Sequence, residues 1–499
     1  MTPHLSLLAT DGYKFSMAES GAPLRTETFY YSHRKGGWQY VPLDIEAFVK
    51  GLLPTVSEET FAYLDTHGYF LGAGSRAAFA MKDKVTVKAL PKGSWFYNRE
   101  PVFSVTGPSA IISWLEPMVL QINRRIQIAT CALLHPEKLK EMVGNATCEE
   151  EKRITEETLV SLNLPCPEII VREQDYYDAV YARAKRMVEI VNDPNRLFEV
   201  GLRACSCMEQ HLIALRAIRD AGILRTSNVY GAHILGMIPV GTMGHEHIQR
   251  HGSSYGAFVA ARDRLPGFIS YLPDTYSTLF EGVPAAIRAM QQEPDRNAGI
   301  RFDSEHGIRG HFTSTVCMCR EGSVEPNLTL ESGWDDVKTI EFETLGEVLG
   351  WPKHRQSYGL GNFFVMPPWA HFGRDTVAAV FKLSFSNIAR MKMGDEPGGA
   401  KESIPGKPIV WRPHLGMANY TGPISYIAQE GENWQPPVPA SLLSGFRPND
   451  GDTGPLRFSP NDIKDFTLRR STEVALSPET QRIRAECFRL RAEAISKSS

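Results

Sequence analysis

Residues 224–250 read LRTSNVYGAHILGMIPVGTMGHEHIQR, and this stretch decides the fold that we expect. Residues 226–228 (TSN) are typical N-caps of a helix and Gly236 stands where a C-terminal cap would fall, so a short helix is predicted between them. The apolar run 237–240 is long enough for one buried strand, although its proline is uncommon in a central strand. His245 comes directly after that strand, and α/β barrels build their active sites at such strand ends.

Length and composition exclude several classes of protein. The chain has 499 residues, 54 Lys plus Arg against 57 Asp plus Glu, and a formal charge of -3. This balance favours neither a nucleic acid nor an anionic membrane as partner. The N-terminal residues lack the basic and apolar segments of a signal peptide, and no apolar run reaches membrane-spanning length. Eight cysteines are ordinary for a reducing compartment, so free thiols and a cytoplasmic location are expected.

From about residue 197 the sequence alternates between strand and helix patterns. Such alternation is typical of parallel βα units. Five predicted strands end in polar residues or glycine, which favours a barrel over an open sheet; they run into Val200-Gly201, Asp274-Thr275, Asp303-Ser304, Glu331-Ser332-Gly333 and Gly359-Leu360-Gly361. The predicted fold is α/β, an irregular (β/α) barrel with an additional α+β domain built from the N- and C-terminal segments.

The flanking regions have other patterns. Residues 28–37 read as an aromatic strand ending in Arg34 and Lys35, which by residue type alone form a solvated hairpin tip. Residues 85–107 predict antiparallel strands, 109–133 a long helix, 134–196 a charged helical insertion, and 478–496 an amphipathic helix. The predicted domains are 1–140 (N-terminal α+β), 141–384 (barrel, with the insertion near 134–196) and 385–499 (packing with the N-terminal domain).

His245 by itself leaves several kinds of site open. A lone histidine in a loop is most often structural. A metal site is a second interpretation, because His245, His247, Asp274, Asp303 and His306 are all possible ligands. The glycines of the last predicted strand offer backbone N–H groups where barrels often bind phosphate.

Eleven short motifs, in order from about residue 8 to 412, make the chain resemble the nicotinate phosphoribosyltransferase family. They are ATDGYKFSM, FYYSHRKGG, GSWFYNREPVFSVTGP, EVGLR, TSNV, PVGTMGHEH, LPDTYSTLFEGVP, GIRFDSEHG, SYGLGNFFV, VFKLS and IPGKPIVWR. The region 134–196 and the last ninety residues do not take part in the resemblance.

The resemblance implies a reaction and a set of residues. Nicotinate would attack C1 of phosphoribosyl pyrophosphate (PRPP), with Mg²⁺ as cofactor and ATP hydrolysed through a phosphorylated His245. Arg301 and Asp303 would complete the catalytic group. The resemblance also implies a homodimer in which the partner chain supplies Tyr13 and Arg34 to the site. The implied substrate-binding residues are Tyr13 and Arg203 for the pyridine ring, Ser227, Asp274 for ribose or metal, Arg34, Gly333, and Gly359 and Gly361 for the 5′-phosphate.

Three other functions remain open at this stage. The first is nicotinamide phosphoribosyltransferase, a relative that has an acidic residue where this chain has Ser227. A carboxylate at that position would repel nicotinate, whereas the hydroxyl of Ser227 can donate to it, so nicotinate is favoured. A non-catalytic PRPP-binding paralogue and a metal-dependent barrel hydrolase are the remaining alternatives.

Overall fold

A computed structural model describes residues 6–395, 402–413, 422–439, 446–448, 463 and 473–497. Its central element is a parallel sheet of seven strands. In spatial order these are Ile238–Pro239, Arg225–Thr226, Leu197–Glu199, Gln356–Leu360, Asn327–Leu330, Ala298–Phe302 and Ile269–Tyr271. Every neighbouring pair is parallel. The sheet curls into a barrel that is open between its first and last strands, which confirms the predicted α/β class and barrel.

The stretch 224–250 folds largely as predicted. A helix spans Val229–Leu235, with the Asn228 side chain accepting from the Gly231 N–H at 3.0 Å and Gly236 ending it at φ 64°. The strand covers only Ile238–Pro239, so it is shorter than the predicted run 237–240. His245 begins a further helix, His245–His251, which the sequence patterns did not predict.

The remaining barrel helices lie between successive strands or follow the last one. They are Met208–Asp220, Ser254–Arg264, a π-helical turn Thr278–Gly282 leading into Val283–Gln291, Ile308–Glu321, Asp336–Val348, Asn362–Val365 and Arg374–Val377.

A second, antiparallel sheet joins the two ends of the chain. Its order is Ile388–Ala389, Ala379–Ser386, Thr26–His33, Phe103–Pro108 and Thr86–Ala89. Strand Ala379–Ser386 therefore belongs to the additional α+β unit and not to the barrel sheet. Its helices are Tyr13–Ser20, Ile45–Gly51, Glu58–Thr66, Ala73–Ala80, Ser109–Trp114, Glu116–Leu120 and Ile122–Leu134. The helix predicted over 109–133 is thus divided into three consecutive helices.

The region predicted as a helical insertion contains three helices and a parallel pair of short strands, Asn145–Ala146 and Ile170–Val171. The helices pack against the N-terminal unit and the barrel. The three helices are Leu139–Val143, Glu149–Val160 and Glu173–Val191. Glu151 is buried and pairs with Arg124 at 3.0 Å, which fixes the first long helix to the N-terminal unit.

The C-terminal part forms a small sheet and a long helix. The sheet order is Phe446–Pro448, Pro408–Pro413, Ser425–Gln429 and Val474–Leu476, and the helix spans Pro478–Ser496 as predicted. Within the described residues, no helix is both long and apolar enough to cross a membrane.

A buried ion-pair network joins the N-terminal unit to the barrel. Lys14 Nζ lies 2.6 Å from Glu116 Oε2 and 2.6 Å from Glu246 Oε1. Burial would lower the pKa of Lys14, yet the two carboxylates raise it above its usual value. Removing one member of such a group leaves an uncompensated buried charge, which costs about 3–5 kcal/mol. The helix that begins at His245 is therefore fixed through Glu246.

Candidate active site

His245 lies at the centre of the candidate site. It is 6% exposed, and its Nδ1 lies 3.0 Å from Thr275 Oγ1. Its Nε2 lies 3.2 Å from Asp303 Oδ2 and contacts Lys392 Nζ. Because an ammonium group can only donate, a hydrogen bond from Lys392 to Nε2 places the ring proton on Nδ1, toward Thr275, and leaves Asp303 close to Nε2 without a hydrogen bond from it. The Nε2 lone pair is therefore the nucleophilic one.

The protonation state of His245 suits a nucleophile. Burial lowers its pKa, and the nearby charge of Lys392 lowers it further, to about 4 against the attraction of Asp274 and Asp303. The imidazole is therefore neutral at physiological pH, as a nitrogen that attacks an electrophile must be.

Two carboxylates flank this histidine. Asp303 Oδ1 lies 3.2 Å from Arg301 Nη2, and although burial opposes ionisation, Arg301 holds the pKa of Asp303 well below its usual value. Asp274 accepts a hydrogen bond from Ser304, but its buried Oδ1 has no hydrogen-bond partner among the described residues. Such an oxygen can accept from a hydroxyl or coordinate a hard cation.

Asp274 and Asp303 fit a Mg²⁺ ion that is bound mainly by the phosphates of the substrate. Mg²⁺ usually binds proteins through one or two carboxylates plus substrate phosphates, and Asp274 and Asp303 provide that number. Within the described parts of the chain, no three His, Cys, Asp or Glu side chains are grouped to hold a metal. His247 Nε2 lies 3.1 Å from Ala257 O instead, so the described residues do not assemble the all-protein metal site that the sequence left open.

Two adjoining cavities open beside His245. The first, of about 440 Å³, contains the predicted residues His245, Asp303, Arg34, Arg203, Gly333 and Gly361. Five cations line it, and five carboxylates lie in the same wall; the cations are Arg34, Arg203, Arg374, Lys382 and Lys392, and the acids are Glu116, Asp303, Glu331, Asp335 and Asp375. The second, of about 570 Å³, contains Tyr13, Ser227, Arg203 and Arg301. Arg203 lines both cavities.

The second cavity is polar on one side. Ser227 Oγ donates to Asp11 Oδ1 at 2.6 Å, and Arg203 Nε lies 3.7 Å from Asp11 Oδ2. Burial raises the pKa of Asp11 despite Arg203 and Ser227. The Nε groups of Arg203 and Arg301 are buried without a hydrogen-bond partner among the described residues. These two guanidinium groups are ion-paired, but their free Nε–H groups can donate to a carboxylate.

Two expectations differ from the structure. Gly359 is buried inside strand Gln356–Leu360, where a Cβ would lie 2.5 Å from Glu331 Cγ, so this glycine serves packing and does not line the first cavity. Arg34 is half-buried in the cavity wall, whereas the sequence pattern predicted a solvated tip. Tyr13 and Arg34 line the cavities of their own chain, and the mixed-oligomer experiment below tests the expectation that they also serve a partner's site. Asp274 lies near His245 but outside both cavity walls.

Sequence reasoning missed several residues of the site. Asp11 and Lys14 belong to the motif ATDGYKFSM and Lys382 to VFKLS, so their motifs were a usable signal. Lys392 stands 147 residues from His245, directly before a glycine- and proline-rich segment, and no local pattern marks it.

The fold and the site define an α/β-barrel protein with a neutral, lysine-contacted histidine at the carboxyl ends of the strands. No family model matches the chain. The nicotinate phosphoribosyltransferase of Bacillus subtilis is 31% identical over 266 residues, 51% of this chain and 50% of that protein. The human one is 23% identical over 380 residues, 71% of this chain and 66% of that protein. The match thus spans only half to two thirds of these relatives.

Solved structures agree on the fold. The nicotinate phosphoribosyltransferase of Vibrio cholerae has a TM-score of 0.55 at 15% identity, covering 80% of this chain and 92% of that one. That of Porphyromonas gingivalis has a TM-score of 0.54 at 18% identity, covering 79% and 95%. The chain is thus similar in sequence to nicotinate phosphoribosyltransferases and shares the fold of their solved structures.

Proposed function

We propose that the protein transfers the 5-phosphoribosyl group of PRPP to nicotinate. The ring nitrogen of nicotinate forms a bond to C1 of the ribose, the C1–oxygen bond to the diphosphate breaks, and nicotinate mononucleotide and pyrophosphate result. The observation that carries the choice of substrate is the pair of buried, unpaired Nε donors on Arg203 and Arg301 beside Tyr13. A carboxylate offers an acceptor oxygen to each donor, whereas the amide of nicotinamide offers only one acceptor oxygen.

The same proposal includes coupling to ATP. His245 Nε2 attacks the γ-phosphorus of ATP, ADP leaves, and water later takes the phosphoryl group as inorganic phosphate. Lys392, already in contact with Nε2, neutralises charge on the transferred phosphoryl oxygens. Asp274 and Asp303 would hold Mg²⁺, which would supply positive charge to neutralise the diphosphate of the substrate. The phosphohistidine then adds negative charge that can draw the cations of the first cavity around pyrophosphate.

One assay tests this proposal and its alternatives. The purified protein is given PRPP and Mg²⁺ with either nicotinate or nicotinamide, with and without ATP, and mononucleotide, pyrophosphate and ADP are measured. Nicotinate mononucleotide formation stimulated by ATP is expected. Formation of neither mononucleotide, without ATP turnover, would instead indicate a non-catalytic PRPP-binding protein.

Nicotinamide remains the second candidate because Asp11 offers a carboxyl group to an amide. Ser227 at present donates to that carboxyl, so Ser227→Asp would place two acids side by side in the ring pocket. The added charge disfavours nicotinate and favours the donor group of nicotinamide. We expect the ratio of kcat/KM for nicotinate over nicotinamide to fall by roughly tenfold or more.

Competition kinetics with both substrates measure this ratio. Ser227→Ala is the matched control, because it removes the hydroxyl without adding charge. An equal ratio in Ser227→Asp and Ser227→Ala would remove this position from substrate discrimination.

The single-chain cavity leads to a prediction about mixed oligomers. Arg34 and His245 line one cavity of one chain, so His245→Ala and Arg34→Ala should not complement each other. When the two inactive variants are unfolded together and refolded, we expect the mixture to stay as inactive as its parents. Mass measurement establishes whether mixed oligomers form. Recovery to about a quarter of the wild-type activity, the value for random pairing into dimers with shared sites, would instead assign Arg34 to the partner's site.

A further inference from the structure

The C-terminal helix Pro478–Ser496 lies outside the motifs of the resemblance, yet one face of it is directed at the candidate site. Arg484, Cys487 and Arg491 are spaced three and four residues apart, so they share that face. Cys487 is 3% exposed, and its Sγ lies 3.7 Å from Ala389 O. The two arginines therefore flank a buried contact.

Arg491 joins two backbone segments that both lead to His245. Its Nε donates to Tyr276 O at 2.8 Å and its Nη2 to Gly394 O at 3.3 Å. Gly394 N in turn donates to Thr275 O at 2.9 Å. Tyr276 follows Thr275, whose hydroxyl contacts His245 Nδ1, and Gly394 stands two residues after Lys392.

The side chain of Asp395 adds hydrogen bonds between the same two backbone segments. Asp395 accepts from Thr278 N at 2.7 Å and from Thr278 Oγ1 at 2.6 Å. The segment after Lys392 is therefore bonded along the loop that follows strand Ile269–Tyr271.

Arg484 supports the other flank of Lys392. Its guanidinium pairs with Glu402, with Nη2 3.1 Å from Oε2. The next residue, Ser403, donates its N–H to Lys392 O at 3.1 Å and accepts from Lys392 N at 2.9 Å. The backbone of Lys392 is thus held on both sides by segments that the helix contacts.

We propose that the helix Pro478–Ser496 is a positioning element for the phosphoryl acceptor, in which Arg491 and Arg484 keep Lys392 and Thr275 on the two ring nitrogens of His245. This inference rests on the proposed phosphorylation of His245. The arginines touch neither ATP nor the pyridine substrate; they act through backbone groups of the segments that carry the contacting side chains. Their loss therefore changes the rate of phosphoryl transfer from ATP more than the binding of PRPP or nicotinate.

The experiment compares Arg491→Gln and Arg484→Gln with Arg489→Gln. Arg489 is on the exposed side of the same helix and pairs with Glu486 and Glu493, so its variant loses an arginine of this helix but no contact with the segments that lead to the site. The measurements are the rate of acid-labile phosphate incorporation from labelled ATP, the stimulation of mononucleotide synthesis by ATP, and the thermal unfolding midpoint.

We expect both the phosphorylation rate and the stimulation by ATP to fall roughly 10- to 100-fold in Arg491→Gln, with a smaller fall in Arg484→Gln and none in Arg489→Gln. Arg491→Lys should restore part of the rate, because an ammonium can still donate to one of the two carbonyls. If Arg491→Gln does not fold, Arg484→Gln and Arg491→Lys carry the same comparison.

The outcomes separate the two proposals. A wild-type protein that forms no phosphoenzyme overturns the role of His245 and this inference with it. If the wild-type protein does form a phosphoenzyme, and the Arg491 and Arg484 variants form it as fast as Arg489→Gln, only the role of the helix is overturned. An equal loss of ATP-dependent and ATP-independent synthesis also overturns it, because that pattern indicates a general structural role.

Discussion

His245→Ala is expected to form no acid-labile phosphoenzyme from ATP and to lose the stimulation of mononucleotide synthesis by ATP. The reason is the position of Nε2, which is neutral, contacted by Lys392 and 3.2 Å from Asp303. A weak ATP-independent synthesis should remain, because Arg203 and Tyr13 in the second cavity are unchanged.

Incorporation of labelled phosphate, followed by its release in acid, measures the first effect directly. His233→Ala is a suitable control, because His233 is exposed on helix Val229–Leu235 and lines neither cavity. If His245→Ala still forms an acid-labile phosphoenzyme, another residue accepts the phosphoryl group and the proposed coupling is wrong.

Local sequence patterns were sufficient for most of the barrel. The strand and helix periods after residue 197 predicted the parallel units, since a buried strand and an amphipathic helix each have a repeat that a short window reveals. The caps at Asn228 and Gly236 gave the helix between them, because capping depends on single residues and their backbone angles. The apolar run 237–240 likewise predicted that His245 follows a strand.

The side-chain network of the site could not be predicted in this way. Lys14 meets Glu246 across 232 residues of sequence, and Ser227 meets Asp11 across 216. Such contacts depend on how the N-terminal helix packs against the barrel, and no periodicity within either segment encodes that arrangement. The resemblance named the motifs containing Asp11 and Lys14, but their partners became clear only from the fold.

Two of the errors have a common physical cause. Arg34 follows a strand and precedes two glycines, a pattern typical of an exposed turn, yet the pairing of Thr26–His33 with Ala379–Ser386 brings it to the cavity wall. Gly359 lies in a Gly-x-Gly pattern typical of phosphate loops, yet its neighbour across the sheet, Glu331, fills the space beside it. In both cases a strand that is distant in sequence determines the environment.

Lys392→Met is expected to slow phosphorylation of His245 by roughly 10²- to 10³-fold, the loss that accompanies removal of one group that stabilises transition-state charge. The ammonium contacts the nitrogen that accepts the phosphoryl group, so it stands where negative charge develops. Lys392→Arg, which keeps the charge with a different shape, should retain more of the rate than Lys392→Met.

The pH dependence distinguishes this role of Lys392 from a general structural role. Burial lowers the pKa of His245, and the charge of Lys392 lowers it further, to about 4. In the wild-type protein, protonation of His245 should therefore slow phosphorylation only when the pH approaches that value. Without the lysine charge the pKa of His245 rises, a larger fraction of the imidazole is protonated at each acidic pH, and the acid limb of the rate profile moves to higher pH. Single-turnover phosphorylation with labelled ATP from about pH 3 to about pH 8 covers both acid limbs and measures the shift. An acid limb at the same pH in Lys392→Met and in the wild type would show that Lys392 does not act on the histidine that accepts phosphate.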